Sequence, residues 1–330
     1  MAISLADIKK LREMTSAGMM DCKNALTEAE GDFKRAIEIL REKGKSTLAK
    51  RGDNETTQGA VLSRIDGGKA VLVCLGCETD FVAATPDFKK LAGDIADAAI
   101  AAFPADLEAL KAVKLAAGYT IDEDITNQAG KTGEKHILAY YGALEAPFVA
   151  EYVHFNGKLG AIVSFNKEVP AAIARGIAMQ VASMNPVAVD AESVPAEVLA
   201  SERTVAVQKT RDELVQKAID AALKKVGINP AHVDSEDHIE SNTAKGWLTS
   251  EQAAQARQII AEVGAAKAAS LPEQMIQNIA NGRIQKFLKE STLVEQEYQL
   301  SDDKITVKAA LAAADKEAKV LAFKRFSLAD

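Results

Sequence analysis

One pattern occurs twice in this chain and restricts its fold more than any other. Ala60 to Ile65 and Ala70 to Leu75 are strand-like runs around Asp66-Gly67-Gly68, and Phe148 to Phe155 and Leu159 to Phe165 flank Asn156-Gly157. Asp-Gly and Asn-Gly between apolar runs supply the positive φ angles of a tight hairpin, so each pair reads as two antiparallel strands. A helix signal follows each hairpin. Thr85 caps and Pro86 opens a helical stretch to Ala102, and Pro170 opens another to Met184; proline suits the first helical turn, where its missing N–H would be unpaired anyway. The expectation is an α+β protein with a duplicated hairpin-helix core and antiparallel sheets.

The copies differ at one place. Nineteen positions separate Gly67 from Pro86 and thirteen separate Gly157 from Pro170, so the first copy carries six more, in the segment CETDFVAAT that starts at Cys77. A connection longer than its own repeat needs is more often functional than one of median length. Two readings of it stand side by side. Phe81 plugs the gap between sheet and helix while Asp80 makes a turn hydrogen bond, or the acid and the aromatic are held out for a partner.

Around this core lie two helical regions. In residues 1–45, Ser4 with Asp7 forms a capping box, and Leu5, Ile8 and Leu11 make one stripe. Cys22, Ala25, Leu26 and Ala29 make a second, and Phe33, Ala36, Ile37 and Leu40 a third before an expected stop at Gly44. Residues 46–58 lack an apolar period and read as a linker. The core halves then span 59–145 and 146–197 with 291–330, the last containing a strand from Lys319 to Ser327 that returns to the second sheet. Residues 198–290 carry long amphipathic helices around a polar connection at 228–248, and read as a helical projection inserted in the second half.

Composition excludes several classes of function. A net charge of −7 opposes general attraction to phosphates, so no direct nucleic-acid contact is expected. No apolar run reaches the length of a membrane span, and the charged, periodic start is unlike a signal peptide, so a cytoplasmic protein without membrane contact is expected. Cys74 and Cys77 have CxxC spacing, but on an extended strand their sulfurs point to opposite faces and no second pair completes a zinc site. His232, Asp234, Glu236, Asp237, His238 and Glu240 crowd one connection and read as a solvated charged turn before a metal site. No phosphate loop, dinucleotide turn, nucleophile elbow or zinc-protease motif occurs. His136 and His154 lie in strand-like runs and read as structural. No enzyme activity and no cofactor are expected.

The stretch Leu11 to Leu26, LREMTSAGMMDCKNAL, together with Thr79-Asp80-Phe81 and with Ile177-Ala178-Met179 before Asn185-Pro186, closely resembles the bacterial translation elongation factor Ts family. The resemblance implies a ubiquitin-associated-like three-helix domain that docks on elongation factor Tu, a two-part core and a coiled-coil insertion. It implies guanine nucleotide exchange on that GTPase, in a 1:1 or a 2:2 complex. Phe81 becomes a wedge between two helices of the partner, Asp80 its neighbour on the magnesium side, and Thr79 the start of their loop. Met19, Met20 and Lys23 fall on or near the docking face of the small domain, the methionines equally well in its own core. Met179 and Gln180 belong to the second half's partner contact. The chain departs from the family pattern at Cys74-Leu75-Gly76-Cys77, at Ala84 in place of a basic residue, at Gln180 in place of histidine, and in a longer projection. From a different class, an interaction adaptor using the small domain and a coiled coil is the alternative.

Overall fold

Strand β2, Lys69–Cys77, is buried on both faces, and its alternation organises the core around it. The computed structural model describes residues 3–15 and 17–329. They divide into two units, one made of the chain up to Val189 with Leu293 onward, the other of Asp190–Thr292.

In the first unit, β1 (Gln58–Asp66), β2 and β3 (His136–Glu145) form one antiparallel sheet, and β4 (Phe148–Val153), β5 (Leu159–Phe165) and β6 (Val320–Ser327) form another. Period-two alternation sends Val71, Val73, Leu75 and Cys77 to one face of β2 and Ala70, Leu72 and Cys74 to the other. The first face packs under a helix that buries Phe88 and Ile95. The second meets Val149 and Ile162 of the other sheet, so the two sheets lie face to face. Gly160 is a point of close approach: a Cβ there would lie 2.9 Å from side-chain atoms of both Leu72 and Val61. A backbone bond from Val61 N to Gly157 O, 2.7 Å, joins the first sheet to the second hairpin's turn. The two thiols point to opposite faces, as the spacing implies, and burial pushes both Cys74 and Cys77 up to about 12, which leaves them protonated and unreactive at neutral pH.

Three helices precede the sheets: α1 (Leu5–Thr15), α2 (Met19–Glu28) and α3 (Phe33–Lys50). Their core is Leu11, Cys22, Leu26, Ala36 and Leu40. Gly31, at φ 91°, ends α2 where an L side chain would be strained, and Asp32 caps α3 by accepting from Lys34 N and Arg35 N. The expected stop at Gly44 is corrected, because α3 continues to Lys50. Gly44 is a packing notch: a Cβ there would lie 2.1 Å from Thr126 O. The segment read as a linker is correspondingly shorter, and it is pinned. Lys135 Nζ donates to Gly52 O at 2.6 Å and to Asn54 O at 2.8 Å, while Arg51 and Asn54 both donate to Glu78.

After β2 come α4 (Asp80–Ala83), α5 (Pro86–Ala102), α6 (Leu107–Lys111) and α7 (Ile121–Thr132). Helix α7 packs on α3 and ends at Gly133, φ 75°. In the second half α8 (Ala171–Met184) covers β5, joined by the helix Val307–Ala314. Leu293 N bonds Ala188 O and Val294 N bonds Val189 O, so the chain re-enters this unit beside its point of exit.

The second unit consists of α9 (Ala196–Lys225), α10 (Glu236–Ala244), α11 (Ser250–Ser270) and α12 (Glu273–Ser291). Both α11 and α12 pack on α9, with Arg283 Nη2 bonded to Glu213 at 2.6 Å. The polar connection expected at 228–248 is corrected: it folds, with Ile228, Val233, Ile239 and Leu248 joining Ile219 and Leu223 in a core of its own. Two of its acids have local partners, Asp234 with His238 and Glu236 with Arg257. Among the described residues no group of three His, Cys, Asp or Glu side chains is placed to hold a metal, and no helix is long and apolar enough to cross a membrane.

Candidate partner-docking site

Within the longer connection of the first repeat, four residues fold into the single turn α4, and none of them is buried. Thr79 is its N-cap, its Oγ1 accepting from Val82 N at 3.4 Å. Val82 and Ala83 lean on the core beside α5, which turns the two residues between cap and anchor outward. Phe81 is 82% exposed and Asp80 is exposed beside it. The gap between sheet and helix that Phe81 could have filled is filled by Phe88, which is fully buried. A large apolar ring held out in water on a short turn loses the burial that folding normally gives it, about 1.5–3 kcal/mol.

Hydrogen bonds fix the base of this turn. Glu134 accepts from Thr79 N at 3.1 Å and from Thr79 Oγ1 at 2.7 Å. Glu78, whose side chain is 13% exposed, accepts from Lys135 N at 2.5 Å, Arg51 Nη1 at 2.6 Å and Asn54 Nδ2 at 2.7 Å. Burial would raise the Glu78 pKa, but these donors outweigh it and hold the carboxyl below its ordinary range. Cys77 Sγ donates to Thr79 O at 3.3 Å. His136, whose Nδ1 lies 3.0 Å from Glu134 O, has its pKa lowered by burial and stays neutral at physiological pH. Sequence reading passed over Glu134 and Glu78. A signal existed for the first: a carboxylate just past a helix C-terminus faces unpaired carbonyls and needs donors elsewhere.

The remaining candidates lie on other elements. On α2, Met20 is 64% exposed and Lys23 is exposed one turn on, whereas Met19 is half-buried against the small unit's core. On α8, Met179 lines an apolar cleft of about 170 Å³ with Tyr152, His154, Leu159 and Leu300. His154 is engaged, its Nδ1 2.8 Å from Tyr152 Oη. Gln180, expected at the partner contact, lines the same cleft. It is 2% exposed and its side chain is occupied within the chain: Nε2 donates to Gln296 Oε1 and Glu297 O, both at 3.1 Å, and Oε1 accepts from Gln299 N at 3.1 Å. It fixes the strand of chain behind Met179 and Leu300.

A mixed helix-and-sheet frame that lifts an anchored aromatic into solvent and opens an apolar cleft elsewhere has the form of a protein that works through its surface. A family profile described as Elongation factor TS matches residues 78–227 and 215–330. Relatives named Elongation factor Ts from Bacteroides fragilis and Bacteroides thetaiotaomicron are each 54% identical over 329 residues, 99% of both chains. One from Christiangramia forsetii is 34% identical over 330 residues, 99% of this chain and 98% of its own. The chain belongs to the elongation factor Ts family. These alignments cover 99% of this chain, so they extend through residues 190–292.

Proposed function

We propose that this chain is a guanine nucleotide exchange factor for elongation factor Tu, acting in the cytoplasm during translation elongation and using Phe81 as a wedge with Asp80 beside it. One observation carries the reading: Phe81 is 82% exposed on a turn whose base is fixed by five hydrogen bonds to Glu134 and Glu78. An aromatic that has already left the core and is already oriented loses little freedom on entering a partner, so more of its burial energy appears as binding.

An exchange factor makes no bond. It holds a conformation of the GTPase that binds GDP poorly, and by reciprocity GDP weakens the complex by the same factor. Burying one Phe contributes about 1.5–3 kcal/mol, so other contacts share the coupling. Met20 and Lys23 on α2 supply one, and the cleft at Met179 another. Residues 190–292 reach a second surface of the partner, a role supported by their length alone. The test is to mix the protein with elongation factor Tu loaded with a fluorescent GDP and follow release. Acceleration supports the proposal; an interaction adaptor would bind without it.

A further inference from the structure

We infer that Glu134 is a positioning residue for nucleotide exchange, holding the Asp80–Phe81 turn at a fixed height and direction through both donors of Thr79. The inference deepens the wedge reading and rests on it.

The internal repeat supplies the control. Register places Cys77 opposite His136 in the first sheet and Phe165 opposite Val320 in the second. One step beyond, each half has the same pin. Glu78 Oε1 accepts from Lys135 N at 2.5 Å, and Asn166 Oδ1 accepts from Lys319 N at 2.7 Å. That bond belongs to the repeat, since it ends the middle strand in both copies.

A further step along, the copies part. Thr79 gives both its N–H and its hydroxyl to Glu134. The corresponding positions in the second half are Lys167 and Ala318; alanine offers no side-chain acceptor, and Lys167 Nζ pairs with Asp315 at 2.7 Å instead. The extra clamp therefore occurs only in the copy that carries the finger, and a hairpin-helix unit closes without it. Glu134 also stands just past the C-terminal cap of α7, an electrostatically unfavourable place for an anion unless strong donors meet it.

Its leverage comes from Thr79. The same hydroxyl that donates to Glu134 accepts from Val82 N, so Glu134 sets the orientation of the cap and the cap sets the turn. Within the turn itself only the partly buried Val82 and Ala83 assist, by leaning on the core. Without Glu134, Phe81 samples several directions and must be ordered when it docks.

The experiment measures fluorescent GDP release from elongation factor Tu and native amide exchange of the free protein for Phe81→Ala, Glu134→Ala, Glu134→Gln, Thr79→Val, Thr79→Ser and the double variant Phe81→Ala with Glu134→Ala. The expected results are a loss of about tenfold in stimulated release for Glu134→Ala, a similar loss for Thr79→Val, and near-complete rescue in Thr79→Ser. Amide protection should fall at Val82 to Ala84 and stay unchanged in α5. In the double variant, loss of Glu134 should add almost nothing to loss of Phe81, because a residue that acts through the ring has no effect once the ring is gone. Normal release by Glu134→Ala, or a full additional loss in the double variant, overturns the positioning role while leaving the wedge intact. Normal release by Phe81→Ala overturns both. Should Glu134→Ala fail to fold, Thr79→Val and Glu134→Gln carry the same comparison.

Discussion

The two halves of the core are built to one plan and part company over a few residues. Each has a three-stranded antiparallel sheet, a helix on its outer face and a side-chain pin at the end of its middle strand. In the first half the chain leaving that strand rises into α4 and shows Phe81 to solvent. In the second it runs straight to α8 and turns Val169, 4% exposed, into the core. An apolar side chain at this connection is therefore optional to the plan, free to close the core or to reach outward. In the second copy that side chain closes the core, and in the first the ring is left in solvent, where the proposed partner contact would use it.

The sharpest way to break this contrast is Phe81→Ala. It should slow stimulated GDP release at least about tenfold, since central aromatic anchors commonly cost about 2 kcal/mol or more when truncated. Its unfolding midpoint should stay put, because a side chain so exposed supports no core. Wild-type release would remove the functional half of the comparison. Val169→Ala is the reverse experiment. It should cost about 1–3 kcal/mol in urea unfolding through a cavity in the second core and leave release normal. A substitution that moved both quantities equally would show the division between the halves to be false.

A smaller effect is expected at the cleft. On the proposed reading, in which the second half holds the partner away from its nucleotide, Met179→Ala should raise the concentration of factor needed for half-maximal release by about fivefold and leave the saturating rate unchanged. A fall in the saturating rate instead would place the lever in both halves. Gln180 behind it should tolerate nothing smaller: its three hydrogen bonds are internal, so truncation should appear as lost stability.

How much of this was legible in the sequence depends on how local the cause is. The hairpins and their helices were readable because Asp66-Gly67, Asn156-Gly157, Pro86 and Pro170 act on their own backbone. The six-residue excess was readable because the repeat supplied a ruler. Helix α7 was missed although a capping box, Thr120 with Glu123, marks its start and Ile121, Ile125 and Ala129 make a short stripe: its buried face also includes Thr126, Gln128 and Gly130, which dilute that signal. Gly44 was misread because a glycine that ends a helix and one that admits a neighbouring backbone look alike until the neighbour is known. The internal partners of Gln180 were invisible for the same reason, lying 116 to 119 positions away. The folded segment at 228–248 hides Ile228, Val233, Ile239 and Leu248 at unequal spacings that fit no single period. Phe81 itself stayed ambiguous, since nothing short of Phe88's position decides which ring fills the gap.

The subtlest difference between the halves lies in the chemistry of their matched pins, a carboxylate at Glu78 and an amide at Asn166. Donors from Lys135, Asn54 and Arg51 outweigh burial and lower the Glu78 pKa in the folded protein. A group whose folded pKa is depressed contributes stability that is complete above its unfolded value and is lost as pH falls through the folded one. The Glu78 pin should therefore hold fully above about pH 5 and weaken progressively below about pH 4.5. Asn166 does not titrate, and the carboxylate near its pin, Asp315, whose pKa Lys167 lowers, is replaced in an Asp315→Asn background so that the second pin offers no acid-labile group. The measurement is amide protection at Lys135 and Lys319, corrected for intrinsic exchange, between neutral pH and about pH 3.5. Protection at Lys135 should fall relative to Lys319, and Glu78→Gln should abolish the difference. Parallel loss at both sites would mean that acid loosens the whole two-sheet core before it reaches the finger's base, and the first half would then have no acid-sensitive step of its own.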